Sequence, residues 1–300
     1  MLDVCLPGTG GMIPLPERFL SCCWIESQGK ALLIDCGEGT QVALKKAGCK
    51  LSRLDFLLFT HFHADHIAGL PGLLLTLGNS GKTSPLTLIG PKGLRAVYTA
   101  LTIIAAALPY PVELIELRNG MSGYLEDEAL TISYLPLSHG IPCLGYRISL
   151  LRKPIFNPRK AERLGIPKKL YKALHSGSPV CLDDGRQIEP LMVLDGARAP
   201  ISVCYMTDTV PTEAMADFAR EADLLICEGM YGDDAMHDKM AEKGHMLFSD
   251  AARLAKSAQV KALWLTHYSP AVRDPAPGLP GAQFIFPNTA LGYDGIKTTL

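Results

Sequence analysis

Four side chains of the kinds that bind metal ions lie within six residues of this sequence, at His61, His63, Asp65 and His66. They directly follow the apolar run 56–59, which predicts a buried strand. Residues two apart at a strand end project to the same side, so His61 and His63 can bind one ion while the following turn directs Asp65 and His66 toward a second. Imidazole and carboxylate ligands suit zinc, with manganese or iron as alternatives. The spacing therefore predicts a two-metal site, and open coordination positions for water favour a hydrolytic role.

The alternative is that these histidines are ordinary surface or core residues, which is the commoner fate of a single histidine. Four such groups in one apolar turn are a different case. Without an ion they would leave several buried polar atoms unpaired, each at about 1–3 kcal/mol. The metal site is therefore the favoured interpretation.

Three stretches carry a family resemblance. Residues 61–66 read His-x-His-x-Asp-His and are followed by Gly-Leu-Pro-Gly at 69–72, while residues 35–41 read Asp-Cys-Gly-Glu-Gly-Thr-Gln and residues 81–93 form a matching strand and turn. On these residues the chain resembles the ribonuclease Z family of the metallo-β-lactamase superfamily over most of its length. The resemblance implies an α/β fold, a four-layer αββα sandwich formed as one domain over residues 1–300, with the metals in a cleft at the edge of two sheets. It also implies a zinc-dependent endoribonuclease that removes 3′ trailers from tRNA precursors.

The resemblance also assigns roles to residues far from the motif. It implies a first zinc ion held by His61, His63 and His139, a second held by Asp65, His66 and His267, and a carboxylate, Asp208, shared between them. Asp65 would orient the attacking water or take its proton, and His245 backed by Glu228 would protonate the leaving 3′-oxygen. Asp35, beneath the site, is expected to fix the orientation of an imidazole, a role compatible with capping the helix that follows.

Charge is concentrated in one segment of a chain whose net charge is -1. Residues 152–172 hold eight basic residues and one acid, Glu162, a local charge of +7 that leaves 21 basic and 29 acidic residues elsewhere. Prolines interrupt the segment, so we expect residues 152–190 to form an inserted basic arm that projects from the core. A polyanion would match this charge, and the resembled family carries its tRNA-clamping arm at this position. The predicted substrate-binding residues are Arg159, Lys160, Arg163, Lys168, Lys169 and Lys172; the alternative is a solvated loop.

Composition predicts a soluble globular protein, with 48% hydrophobic and 20% charged residues. The first residues lack a basic leader, and the longest apolar runs are too short to span a membrane, so we expect a cytoplasmic protein with no membrane partner. Nine cysteines without a Cys-x-x-Cys pair are expected to be reduced, mostly in the core, rather than zinc ligands. The resemblance implies a homodimer.

Two other functions remain open. The same site could hydrolyse a small phosphodiester, a sulfate ester or a lactone. Two departures from the family pattern favour this alternative: Lys168 and Lys169 stand where many members have a Gly-Pro element, and Met246 stands where a serine is usual. A non-catalytic RNA-binding scaffold is the third interpretation, but such a module has no need of seven metal ligands.

In the C-terminal part, the sequence predicts a helix over residues 244–256. It also predicts closing strands at 284–286 and 295–300.

Overall fold

The computed structural model describes residues 1–105, 107–127 and 130–300 and contains two seven-stranded sheets. The strands of the first sheet are β1 (Asp3–Gly8), β2 (Cys22–Ser27), β3 (Lys30–Ile34), β4 (Leu54–Leu58), β5 (Leu86–Pro91), β6 (Val112–Leu117) and β18 (Ile296–Thr299). Those of the second are β7 (Gly123–Asp127), β8 (Leu130–Leu137), β9 (Cys143–Leu150), β14 (Ile201–Met206), β15 (Leu224–Glu228), β16 (Leu263–Thr266) and β17 (Thr289–Leu291). Four two-residue strands lie between β9 and β14 along the chain: β10 (Ile155–Phe156), β11 (Val180–Cys181), β12 (Gln187–Ile188) and β13 (Leu194–Asp195).

The two sheets follow the same plan. The spatial orders are β18-β1-β2-β3-β4-β5-β6 and β17-β16-β15-β14-β9-β8-β7. In the first sheet, pairing is antiparallel from β18 to β3 and parallel from β3 to β6. In the second it is antiparallel from β7 to β14 and parallel from β14 to β17. Each sheet therefore has a set of parallel strands whose carboxyl ends meet at one edge.

The described ranges contain ten α-helices. They are α1 (Thr40–Lys46), α2 (Ala64–Ile67), α3 (Leu70–Asn79), α4 (Leu94–Leu101), α5 (Pro158–Arg163), α6 (Tyr171–His175), α7 (Glu213–Ala219), α8 (His237–Glu242), α9 (Phe248–Ser257) and α10 (Leu279–Ile285). Of these helices, α1, α3, α4, α7, α9 and α10 pack on the outer faces of the two sheets. Short 3-10 turns lie at Leu51–Arg53, Thr102–Ala105, Lys168–Leu170, Pro190–Met192, Asp234–Met236 and Ala276–Gly278. None of the helices in the described ranges combines the length and the apolarity that crossing a membrane would require.

Three apolar layers hold the sandwich together. The central one joins the facing sides of the sheets, for example Val4 and Ile34 from the first sheet with Ile148 and Tyr205 from the second. Residues of β1 alternate between this layer and the next, because successive side chains of a strand point to opposite faces. The outer layers pack the first sheet against α1, α3 and α4, and the second against α7, α9 and α10. The predicted four-layer αββα sandwich is confirmed.

Helix α3 shows how the sequence forms an outer layer. Leu70, Leu73, Leu74 and Leu77 recur at the spacing of one helix face, and each is completely buried against the first sheet. Burial of a leucine side chain contributes about 1.5–3 kcal/mol. This stripe fixes the helix that begins just after the metal-binding motif, and with it the path of the motif.

The basic segment forms a small excursion with a core of its own. It leaves the second sheet after Leu150 and returns at Ile201. Its own two-stranded sheets pair β10 with β13 and β11 with β12, so it extends beyond residue 190 to the β13 strand. Ala161, Ile166, Leu174, Leu182, Ile188 and Val193 form its buried cluster. The segment is thus a folded arm that contains helices, despite its prolines.

Two local predictions at the C-terminal end are wrong. Residues 284 and 285 form the end of α10 and Phe286 is its C-cap, so no strand lies there, and Phe284 is 91% exposed. The helix predicted from residue 244 begins only at Phe248, because Gly244 has a φ of 76° and ends the preceding turn. The closing strand predicted at 295–300 is present as β18.

Candidate metal centre

Strand ends bring the predicted site residues to one edge of the sandwich. Asp35 follows β3, the motif residues follow β4, His139 follows β8, Asp208 follows β14, Glu228 ends β15 and His267 follows β16. Asp35, Asp208 and His267 have φ values of 64°, 58° and 58°, in the left-handed region that few non-glycine residues adopt. This local conformation turns the chain sharply at each strand end. Such backbone strain concentrates at functional sites.

Three histidines form the first cluster of possible ligands. Nε2 of His61 lies 3.0 Å from Nδ1 of His63, and Nε2 of His139 lies 3.3 Å from the same Nδ1. Oδ2 of Asp208 is 3.8 Å from Nε2 of His61. One donor atom from each of these four residues lies within 4.8 Å of all the others, which is close enough to surround a single ion.

A second cluster lies beside the first. Nε2 of His66 is 3.3 Å from Nε2 of His267 and 3.5 Å from Oδ2 of Asp65. The same carboxylate oxygen is 3.6 Å from Nε2 of His267. Asp65, His66 and His267 thus present two imidazole nitrogens and one oxygen to one point.

Asp208 stands between the clusters with one oxygen toward each. Its Oδ1 lies 3.3 Å from Nε2 of both His66 and His267, while Oδ2 faces His61. Oδ1 is buried, and no described group donates a hydrogen bond to it. A buried carboxylate oxygen left without a donor is costly, and a cation between it and the imidazoles would satisfy it. The donor chemistry and this oxygen fit two divalent ions that share Asp208.

The electrostatics of the site agree with a ligand role. Burial, with the neighbouring charge of His66, lowers the pKa of His61 to about 2, which keeps the ring in the neutral form that binds metals. Burial alone would raise the pKa of Asp208, but the charges of His267 and His66 lower it well below its usual range. The carboxylate is therefore ionised.

Hydrogen bonds behind the clusters fix how the imidazoles present their nitrogens. Asp35 accepts hydrogen bonds from Nδ1 of His66 at 2.8 Å and from the backbone N–H of Thr60 at 2.8 Å. The Thr60 hydroxyl donates to Asp35 at 2.9 Å and lies 3.0 Å from Nδ1 of His61, from which it can accept. Nδ1 of His139 donates to the carbonyl of Gly244 at 3.1 Å. These contacts engage the Nδ1 atom of each ring, so Nε2 is the nitrogen that faces the cluster.

Glu228 and His245 form a buried pair beside the first cluster. Nδ1 of His245 donates to Oε2 of Glu228 at 2.8 Å, and Oε1 of the same carboxylate accepts from the N–H of Thr209 at 2.6 Å. Burial would lower the pKa of His245, but the hydrogen bond and charge of Glu228 outweigh it and raise that pKa. The His245 side chain is 12% exposed and Glu228 is not exposed at all. The ring is therefore anchored from behind with an edge open to the cleft.

Some contributors to the site were not predicted from the sequence. The backbone N–H of Met12 donates to Oδ2 of Asp65 at 2.7 Å, which fixes this carboxylate from the loop after β1. In the same loop, a Cβ at Gly11 would lie 2.6 Å from Cε1 of His267. The glycine cluster at residues 8–11 was the one available signal, because close backbone approach requires glycine.

Two glycines let the loops after β3 and β4 pack backbone against backbone. A Cβ at Gly37 would lie 2.0 Å from the carbonyl oxygen of Asp65, and one at Gly69 would lie 2.0 Å from that of Gly37. The N–H groups of Cys36 and Gly69 connect the same loops, donating to His66 and Cys36 respectively. This packing holds Asp35 directly behind His66.

We therefore expect Gly37→Ala to lower the free energy of unfolding by about 3 kcal/mol, because the new methyl group overpacks a rigid backbone contact. Urea unfolding at a fixed metal concentration measures this loss. Gly281→Ala is the matched control, since no atom lies within 4 Å of a Cβ there. Gly281→Ala should change stability by about 1 kcal/mol or less. Equal urea midpoints for Gly37→Ala and the wild-type protein would contradict the prediction.

The predicted substrate-binding residues lie apart from these clusters, on the arm. Arg159, Arg163, Lys168, Lys169 and Lys172 are exposed, whereas Lys160 forms an ion pair with Asp195 at 2.7 Å. Strand β9 begins at Cys143, whose Sγ is 3.9 Å from Nδ1 of His61, and ends at Leu150, where the arm starts. Seven residue steps of a strand span about 23 Å. The arm therefore leaves the body at the end opposite the clusters.

Comparison with known proteins supports the resemblance drawn from the motifs. Residues 2–97 match the family model described as anti-Pycsar protein Apyc1, and residues 174–268 match a beta-lactamase superfamily domain. The ribonuclease Z of Lachnospira eligens is 47% identical over 295 residues, which cover 98% of this chain and 96% of that protein. The ribonuclease Z of Agathobacter rectalis is 46% identical over 300 residues, covering 100% and 98%.

Comparison with solved structures also supports the family resemblance. Human tRNase Z, short form, matches with a TM-score of 0.70 and 27% identity, covering 99% of this chain and 98% of that one. The metallo-beta-lactamase fold protein YhfI from Bacillus subtilis has the same TM-score, 0.70, at 21% identity, with coverage of 99% and 98%. The second match supports the fold alone.

Proposed function

Because the chain belongs to the ribonuclease Z family, we propose that it is a metal-dependent endoribonuclease that removes 3′ trailers from tRNA precursors. The observation that carries this proposal is the pair of ligand clusters that face each other across Asp208. A two-metal centre suits phosphodiester hydrolysis, because the attacking and leaving oxygens both develop charge.

In this proposal His61, His63 and His139 hold one zinc ion, Asp65, His66 and His267 hold the other, and Asp208 is shared. Manganese or iron would suit the same donors. When bound, the ions lower the pKa of water and neutralise charge on the phosphoryl oxygens. Asp35 keeps His66 in the tautomer that binds, through its 2.8 Å hydrogen bond.

The chain's own residues handle the protons. Asp65, held by the Met12 N–H, would orient the attacking water or accept its proton. As the bond between phosphorus and the 3′-oxygen breaks, His245 would donate a proton to that oxygen. Glu228 supports this role, because its hydrogen bond to Nδ1 leaves Nε2 as the nitrogen that faces the substrate.

The arm would bind the body of the tRNA through its exposed cations, chiefly Lys168, Lys169 and Lys172. It starts at the opposite end of the sandwich from the metal clusters, which favours clamping tRNA for the cleft of a second copy of the chain. The proposal therefore includes a homodimer. It also includes a cytoplasmic location.

The central test is cleavage of a 3′-extended tRNA precursor by purified protein reconstituted with zinc. We expect a cut near the discriminator base, and Asp65→Ala should be inactive while remaining folded by circular dichroism. A precursor left intact by protein containing two zinc ions per chain, with Asp65→Ala behaving identically, would refute the proposal.

A second candidate is hydrolysis of a small phosphodiester, which the departures at Lys168, Lys169 and Met246 favour. The triple substitution Lys168→Ala, Lys169→Ala, Lys172→Ala separates the two functions. For the precursor we expect KM to rise about 10- to 100-fold, and the slope of log KM against log salt to fall by up to about 3, since each lysine neutralises one phosphate. Hydrolysis of bis(p-nitrophenyl) phosphate should not change.

Steady-state kinetics at several salt concentrations measure these effects. The matched control replaces three exposed lysines of the body, Lys45, Lys50 and Lys256, by alanine. If both triple variants raise KM equally, or neither does, the arm is not the tRNA-binding element and the small-substrate function gains support.

A further inference from the structure

A second group of reactive side chains lies on the outer face of the first sheet, away from the metal clusters. Cys5 of β1 is paired across the sheet with Lys297 of β18 on one side and Trp24 of β2 on the other. Directly paired residues project to the same face. Cys5 therefore points toward the helical layer, in the packing cluster that also includes Cys49.

Cys49 lies over Cys5 at the end of the turn that follows α1. Nζ of Lys297 donates to the carbonyl of Ala47, and a Cβ at Gly48 would lie 3.9 Å from the same Nζ. Lys297 thus links the strand beside Cys5 to the segment that carries Cys49. Both thiols line the same cavity beside Lys297.

The pair has access to solvent. Both cysteines line one cavity of about 320 Å³, together with Trp24, Glu26 and Lys297. Cys5 is 3% exposed and Cys49 is partly exposed. The cavity is large enough to admit a molecule as small as hydrogen peroxide, since about 10–15 Å³ of such volume holds a water.

The surroundings divide the roles of the two sulfurs. The hydrogen bond from Cys49, opposed by burial and helped by the charge of Lys297, lowers the pKa of the Cys5 thiol. The same hydrogen bond, with burial, raises the pKa of Cys49. Cys5 also lies directly across the strand pair from Lys297, whose positive charge favours a thiolate. We therefore assign Cys5 as the nucleophile and Cys49 as the thiol that resolves its oxidised form.

The remaining thiols lack this arrangement. Burial raises the pKa values of Cys22, Cys23, Cys36, Cys143, Cys204 and Cys227, which suits inert core residues. Cys181 is exposed on the arm, with its Sγ 3.6 Å from the carbonyl of Leu182.

We propose that Cys5 and Cys49 form a modification site, a dithiol that peroxides oxidise reversibly to an intramolecular disulfide. The Cys5 thiolate attacks one peroxide oxygen, the O–O bond breaks, and Cys5 becomes a sulfenic acid as hydroxide leaves. The sulfur of Cys49 then attacks the Cys5 sulfur, and the sulfenic hydroxyl leaves as water after taking up the Cys49 proton. Two thiols lose two electrons, and one peroxide gains them. A dithiol reductant reverses the change.

The test uses the full-length, zinc-loaded protein, because zinc has no redox chemistry of its own. The protein is treated with a small excess of hydrogen peroxide, then unfolded in guanidinium chloride with N-ethylmaleimide to block every free thiol, and analysed by peptide mapping without reduction. We expect a linked peptide pair containing Cys5 and Cys49, a fall from nine alkylated cysteines to seven, and full recovery with dithiothreitol. Cys181 should remain alkylated.

Cys49→Ser is the informative variant, since it retains Cys5 but removes the resolving thiol. It should yield no linked peptide and should accumulate Cys5 sulfenic acid, which a dimedone probe detects. Cys204→Ser, in the second sheet, is the matched control and should oxidise as the wild-type protein does. A folded wild-type protein that keeps nine alkylated cysteines, or that links other cysteines instead, would overturn the proposal. The readout is independent of RNA cleavage and of the function proposed above.

Discussion

Asp208→Ala is expected to slow cleavage of a tRNA precursor by about 10³-fold or more and to reduce bound zinc below two ions per chain. The reason is that its two oxygens serve different clusters, with Oδ1 toward His66 and His267 and Oδ2 toward His61. Without it, two cations would face each other with no anion between them. A single substitution should therefore weaken both sites.

Metal analysis of dialysed protein and single-turnover cleavage measure the two effects. Asp217→Ala is the matched control, because Asp217 is 76% exposed in a surface ion pair with Arg220. Such a pair contributes about 1 kcal/mol or less. An Asp208→Ala protein that retains two zinc ions and wild-type cleavage would exclude the shared-ligand role.

His245→Ala is expected to slow precursor cleavage by about 10²- to 10⁴-fold, the range for loss of a general acid, while zinc content stays at the wild-type level. The hydrogen bond of its Nδ1 to Glu228 at 2.8 Å leaves this nitrogen no lone pair for a metal. Glu228→Gln should produce part of the same defect, because an amide NH₂ group cannot accept the His245 proton.

Comparing substrates with different leaving groups distinguishes a general acid from a residue with a structural role. A p-nitrophenolate leaves without protonation, so His245→Ala should affect bis(p-nitrophenyl) phosphate hydrolysis far less than RNA cleavage. His237→Ala, at an exposed histidine, is the control. Loss of zinc from His245→Ala would instead identify His245 as a ligand. The geometric basis of that alternative is that Asp208, His245 and His267 each offer a ligand atom within 4.8 Å of the others.

The fold was predictable to the extent that it depends on local pattern. The apolar strand at residues 56–59 and the leucine stripe of α3 both carry their signal within a few residues. The predicted strand at residues 284–286 was wrong because the prediction relied on the high β-propensity of Phe-Ile-Phe. The burial of Ala282 against α9 and the start of α10 just before Pro280 override that preference.

The residues of the candidate site were also only partly predictable from local sequence pattern. The sequence indicated a metal site at His61, His63, Asp65 and His66 because these four side chains lie within six residues. His139, Asp208 and His267 were assigned through the family resemblance, since nothing in their own neighbourhoods indicates a ligand. Their convergence depends on strand order and on the shared edge where parallel strands end.

The sequence by itself determined the kind of chemistry, because metal-ligand identity and spacing are properties of the chain that survive without any tertiary contact. Only the tertiary structure decided which oxygen of Asp208 faces which cluster, that the Met12 N–H holds Asp65, and that Cys5 and Cys49 line one cavity. The physical reason is that hydrogen bonds and close packing depend on distances of a few ångströms between residues far apart in the chain. Such distances are set when the sheets and loops pack together.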